Sequence, residues 1–150
     1  MDWCHYRFRS MWRLPRKPAD VYSVLERAHE YPVWWPQVRE VTPLDEHSGT
    51  VRFRSLLPYD LVVAVRELRR EPDAGILAVA MTGDLDGWAR WTLATAPGGA
   101  GTRALYEQEV DVRKPLMRRL ALPCRPAFLL NHALMMRDGR RGLAGRLETV

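Results

Sequence analysis

Cysteine is scarce in this 150-residue chain, with Cys4 and Cys124 near opposite ends. Two isolated thiols make neither a disulfide framework nor a metal-ligand set, and both are expected to be free and inert. Long apolar runs are missing as well. A stretch such as Ile76–Met81 is far too short to cross a bilayer. Met1-Asp2-Trp3-Cys4-His5 offers no basic stretch followed by an apolar segment, so no secretory signal is read and a cytoplasmic location is expected. There is no glycine-rich phosphate loop, no nucleophile elbow and no His/Cys/Asp cluster at metal-ligand spacing, so neither a cofactor nor a metal is expected. Internal repeats, low-complexity tracts and linkers are also absent. Residues 1–150 read as a single domain.

Lysine is nearly missing too. Lys17 and Lys114 are the only two, and arginine supplies the rest of a net charge of +5. A pI near 9.7 raises the possibility of a polyanion partner. Acidic residues interleave with the basic ones in Glu67–Asp73 and Glu107–Arg113, however, which points to solvated mixed faces. The basic clusters Arg7/Arg9/Arg13, Arg118/Arg119 and Arg137/Arg140/Arg141 keep a basic-surface protein or nucleic-acid interaction module as an outlying alternative. Hydrophobic residues make up 47% and charged residues 27%, which is enough apolar material for a real core.

Hydrophobic periodicity divides the chain. Cys4, Tyr6, Phe8, Ser10, Trp12 and Leu14 alternate with His5, Arg7, Arg9, Met11 and Arg13, predicting a strand over 3–14 with one buried face. Pro18 suits a first helical position, and Val21, Val24, Leu25 and Ala28 predict an amphipathic helix over 18–29. A short second helix bounded by prolines is expected in Tyr31–Val38. Strands follow at about 39–46, 50–57, 60–70, 75–83, 87–96 and 102–113, separated by turn residues such as Gly83-Asp84-Leu85-Asp86-Gly87. Val51 and Phe53 form an apolar face opposite Arg52 and Arg54. Ala104, Tyr106, Gln108, Val110 and Val112 form another. Residues 61–65 are continuously apolar, so their faces stay unassigned. After Pro115, a turn or two of helix at Leu116–Leu122 precedes a long helix from Pro126 to Leu147. Phe128, His132, Met135, Gly139 and Gly142 share one stripe of that helix. Glycine weakens a helix by about 1 kcal/mol relative to alanine, so two on one stripe predict a close backbone approach.

One strand, two short helices, six strands and a long helix read as α+β. A long antiparallel sheet must twist and curl, and a helix laid across it leaves a cavity unless side chains fill it. The aromatic supply for such a space is Trp12, Trp34, Trp35, Phe53, Tyr106 and Phe128, with Trp88 or Trp91. Each of these also suits a plain core.

Several motifs carry a resemblance: Tyr31-Pro32-Val33-Trp34-Trp35-Pro36-Gln37-Val38, Leu57-Pro58-Tyr59, Gly83–Gly87 with Trp91, and Asn131-His132 followed by Met136 and Gly139. In these segments and in element order the chain resembles the START-like or SRPBCC superfamily, in its polyketide cyclase/dehydrase and lipid-transport branch, including actinobacterial members. The resemblance covers nearly the whole chain. It implies a helix-grip, Bet v 1-like fold with about seven strands wrapped around the last helix. It leaves the activity open, because the superfamily includes aromatase/cyclases, lipid carriers, coenzyme Q-binding proteins and stress-related binders.

The expectation is a binder of a hydrophobic small molecule, whether lipid, polyketide or isoprenoid-like. The expected lining is Trp34, Trp35, Phe53, Tyr59, Trp91, Tyr106, Gln108, Phe128 and Met135. The alternative is a polyketide aromatase/cyclase or dehydrase. His132 would then be the acid/base, with Asn131 or Tyr59 donating to an enolate oxygen, because ring closure needs deprotonation beside a carbonyl. Against that stands a purely bracing role for Asn131 and His132. Gln108 sits on an apolar face and needs a partner: a ligand, a water or another side chain. Arg54 and Arg90 are read as outward; pointing inward, either would suit a carboxylate. Asp84 and Asp86 are read as turn residues.

Overall fold

The computed structural model describes residues 4–54 and 60–149, with the side chains at 116 and 120–124 outside that description. Seven strands run in chain order: β1 (His5–Leu14), β2 (Val38–Asp45), β3 (Ser48–Arg54), β4 (Asp60–Glu71), β5 (Ile76–Gly83), β6 (Leu85–Thr95) and β7 (Thr102–Val112). Between β1 and β2 lie α1 (Pro18–Leu25), a 3-10 turn (Ala28–Glu30) and α2 (Tyr31–Trp34). The chain ends in α3 (Pro115–Glu148). Every adjacent strand pair is antiparallel, in the order β1-β7-β6-β5-β4-β3-β2. β1 and β2 are consecutive strands yet occupy opposite edges, so α1 and α2 span the distance between the two edges. This is the curved seven-stranded sheet and long terminal helix of the helix-grip fold.

Period-two patterning set the faces of the sheet. Tyr6, Trp12 and Leu14 are buried while Arg7, Arg9 and Arg13 are exposed. The continuous apolar run in β4 resolves with Leu61, Val63 and Val65 toward the interior and Val62 outward, 49% exposed. Trp91 faces inward and Trp88 outward. Trp88 lies under the Arg90 guanidinium, 5.2 Å from its ring centroid. Arg90 in turn pairs with Glu107, and Arg54 is exposed.

Two boundaries differ from expectation. α1 ends at Leu25, not at 29. Its terminal Leu25 carbonyl accepts a hydrogen bond from the Tyr31 hydroxyl (2.6 Å), which satisfies a group the helix itself leaves open. α3 is one helix and not two, running unbroken from Pro115 through Pro126. A proline removes one helical hydrogen bond, but continuity returns packing. Met117 and Phe128 are eleven residues apart, just over three turns, so one continuous helix buries both in the same cluster.

Gly83-Asp84-Leu85-Asp86-Gly87 is a tight β5–β6 connection. Asp84 accepts from the Val62 amide (2.8 Å) and Asp86 from the Gly83 amide (3.2 Å). Asp86 also pairs with Arg113 (2.8 Å), and Lys114 lies 3.7 Å from Asp84. Both carboxylates are engaged in holding this turn. Among the described residues no group of three or more His, Cys, Asp and Glu side chains could hold a metal, and no helix is long and apolar enough to cross a membrane.

Candidate ligand cavity

The segment Tyr31–Gln37 fixes α3 over the sheet. A Cβ on Gly139 would come within 2.5 Å of the Trp35 indole, and one on Gly142 would overlap the Trp34 carbonyl. The Trp35 Nε1–H donates to the Met135 carbonyl (2.9 Å), and the Gln37 amide donates to Asp138 (2.7 Å). The close approach expected from the glycine stripe is therefore made to α2 and not to the sheet. Trp35 also packs edge-on against Trp12 (5.7 Å), and Trp12 against Trp91 (4.8 Å).

With the helix held off by these aromatics, a cavity of about 460 Å³ remains between sheet and α3. That volume lies in the range of small-molecule sites. Its walls are mostly apolar: Phe53, Val65, Leu77, Val79, Met81 and Trp91 from the sheet, Phe128 and Met135 from the helix. It opens between the end of α1 and the β2–β3 turn, past the exposed polar residues His29, Asp45, Glu46, His47 and Arg70. An ion-pair chain runs along this mouth. Arg70 meets Glu26 (3.0 Å) and Glu67 (3.8 Å), and Glu67 meets His47 (3.2 Å).

One polar group of three side chains interrupts the apolar wall. The Tyr106 hydroxyl donates to the Gln108 amide oxygen (2.8 Å), and His132 Nε2 lies 3.0 Å from that same oxygen. A carbonyl oxygen has no proton to give, so Nε2 carries the hydrogen and donates. Among the described residues the Gln108 amide nitrogen meets the Met81 thioether (3.9 Å), a weak acceptor. His132 lies flat on Phe8, with ring centroids 3.5 Å apart and planes 7° from parallel. Burial pushes its pKa down to about 4, so the imidazole is neutral near pH 7. Burial also raises the Tyr106 phenol well above its usual range.

Of the lining residues expected from sequence, Trp35, Phe53, Trp91, Tyr106, Gln108, Phe128 and Met135 surround the cavity, together with Asn131 and His132. Tyr59 lies outside the described residues. Trp34 is a correction. It is buried and stacks on Trp35 (5.4 Å), but it does not line the cavity, because its backbone is occupied against Gly142. Tyr6, Phe8 and Tyr31 line the cavity and were not singled out as site residues. For the first two, the alternation in β1 already carried the signal. Tyr31 depends on how α2 folds back.

Comparison with known proteins follows this geometry. A family model described as polyketide cyclase / dehydrase and lipid transport matches residues 14–135. No curated protein matches the sequence. Among solved structures, a protein from Thermus thermophilus superposes with a TM-score of 0.77 at 15% identity, covering 96% of this chain and 98% of that one. The Zhui aromatase/cyclase from a Streptomyces species gives 0.74 at 12% identity, covering 96% and 94%. A START superfamily protein from Mycobacterium smegmatis gives 0.72 at 12% identity, covering 95% and 97%. At such identities these likenesses speak for the fold.

Proposed function

This chain belongs to the polyketide cyclase/dehydrase and lipid transport family, and from that premise we propose that it binds a hydrophobic small molecule in the cavity between the sheet and α3. The observation that carries the reading is the cavity itself, about 460 Å³ of mostly apolar space held open by the clamp on α3. Burying a ligand's apolar surface there yields roughly 25 cal/mol per Å². The Tyr106–Gln108–His132 group supplies the few convergent polar atoms that orient a ligand in such a site.

The state of His132 favours binding over acid–base turnover. An effective general base has a pKa near the working pH, and His132 is held near 4 with its Nε2–H committed to Gln108. Part of the basic surface is already paired within the protein. Arg7, Arg52, Arg70, Arg90, Arg113 and Arg137 each pair with a carboxylate.

Native mass spectrometry of the gently purified protein, followed by denaturing extraction, tests this reading. A stoichiometric hydrophobic adduct is expected. A clean apo mass, together with no uptake of 1-anilinonaphthalene-8-sulfonate, would sink it.

A further inference from the structure

Tyr6 is 3% exposed and lines the cavity, on the β1 position that pairs with Val110. No acceptor lies at hydrogen-bond geometry from its hydroxyl among the described residues, and the nearby Arg125 guanidinium, a donor only, can act on the hydroxyl oxygen but leaves its proton free. Three other donors of this wall are committed: Tyr31 to the Leu25 carbonyl, Trp35 to the Met135 carbonyl and Tyr106 to Gln108. A buried hydroxyl proton without an acceptor is unfavourable unless something bonds it. The Arg125 guanidinium lies over the Tyr6 ring, 4.4 Å from its centroid, and is fixed there by two hydrogen bonds to the His5 carbonyl (3.4 and 3.3 Å). A cation at that distance disfavours a positively charged ligand group and favours an oxygen that carries partial negative charge.

We infer that the Tyr6 hydroxyl is an anchoring donor in the wall of the cavity, and that the ligand presents a carbonyl oxygen to it. The assignment rests on the cavity being a binding site for a hydrophobic molecule, and it adds the chemistry of one end of that molecule. The ligand is then an apolar body with a ketone or similar carbonyl at the end that meets Tyr6. Its flank passes the Tyr106–Gln108–His132 group.

The test uses two probes of matched shape, 2-acetylnaphthalene and 2-ethylnaphthalene, titrated by tryptophan fluorescence against the wild type and Tyr6→Phe. The ketone is expected to bind the wild type about tenfold more tightly than the hydrocarbon. In Tyr6→Phe that preference disappears through weaker ketone binding, while affinity for the hydrocarbon is unchanged. Because the hydroxyl proton has no acceptor to lose, Tyr6→Phe keeps or raises the thermal midpoint. Three outcomes would overturn the assignment. A ketone preference that persists in Tyr6→Phe places the anchor elsewhere. No ketone preference in the wild type removes the carbonyl. A lowered midpoint shows that the hydroxyl was already bonded. In all three the cavity remains a binding site. Failure of both probes to bind the wild type removes that broader reading, and this assignment with it.

Discussion

The backbone of Gly142 rests directly against the carbonyl oxygen of Trp34, leaving no room for a side chain at 142. Three residues further on, Gly145 faces open space. Position on one helix therefore decides the sign of one substitution. Gly142→Ala must push α2 away from α3 and is expected to destabilise by about 1–3 kcal/mol, as overpacked cores do. Gly145→Ala is expected to stabilise by up to about 1 kcal/mol through helix propensity alone. Urea denaturation of the two variants and the wild type measures both. Equal effects would contradict the clamp.

The neutral His132 makes stability pH-dependent. Its folded-state pKa, about 4, lies below the unfolded value of 6.5. Between those values the unfolded chain binds more protons, so stability rises with pH across the window. The contribution is complete above pH 6.5 and is lost as pH falls toward 4, amounting to roughly 3 kcal/mol. His132→Gln should lack this part of the slope. Denaturation of both proteins at pH 7 and pH 4.5 isolates it by difference, and other groups, such as the raised His5 on the surface, cancel.

Filling the cavity should separate stability from binding. Val79 lies on β5 and lines the space. Val79→Phe places a ring in the void. The folded state should be unchanged or up to about 1 kcal/mol more stable, because apolar surface gains contacts. Uptake of 1-anilinonaphthalene-8-sulfonate should fall at least tenfold. Retained uptake would move the site out of this cavity.

The ion pairs at the mouth predict a kinetic effect. Arg70 joins Glu26, at the end of α1, to Glu67 on β4. Exposed pairs of this kind contribute under about 1 kcal/mol to stability, so Arg70→Met should barely move the denaturation midpoint. It should instead quicken ligand release, and raised salt should do the same to the wild type. Stopped-flow displacement of a bound fluorophore checks both. A release rate insensitive to Arg70 and to salt would place the exit elsewhere.

The sequence by itself determined the elements and the faces. Alternation along β1, β3 and β7 directs Tyr6, Phe53, Tyr106 and Gln108 inward, because side chains of a strand alternate sides whatever the strand packs against. The stripe Phe128–His132–Met135–Gly139–Gly142 followed from helical spacing in the same way, and so did the close approach at its glycines. Tertiary structure decided what each inward group meets. Sequence left Gln108 with three possible partners; its own strand face supplied Tyr106, and the packing of α3 against β7 supplied His132. Sequence read Trp34 and Trp35 as one aromatic pair. Only the contact with α3 sends Trp35 to the cavity and fixes Trp34 against Gly142. The break expected between Leu122 and Pro126 reflected a local property of proline. Burial of Met117 and Phe128 in one cluster overrode it. Periodicity is a local property of the chain, whereas partners, burial and the protonation state of His132 depend on residues brought together from distant positions.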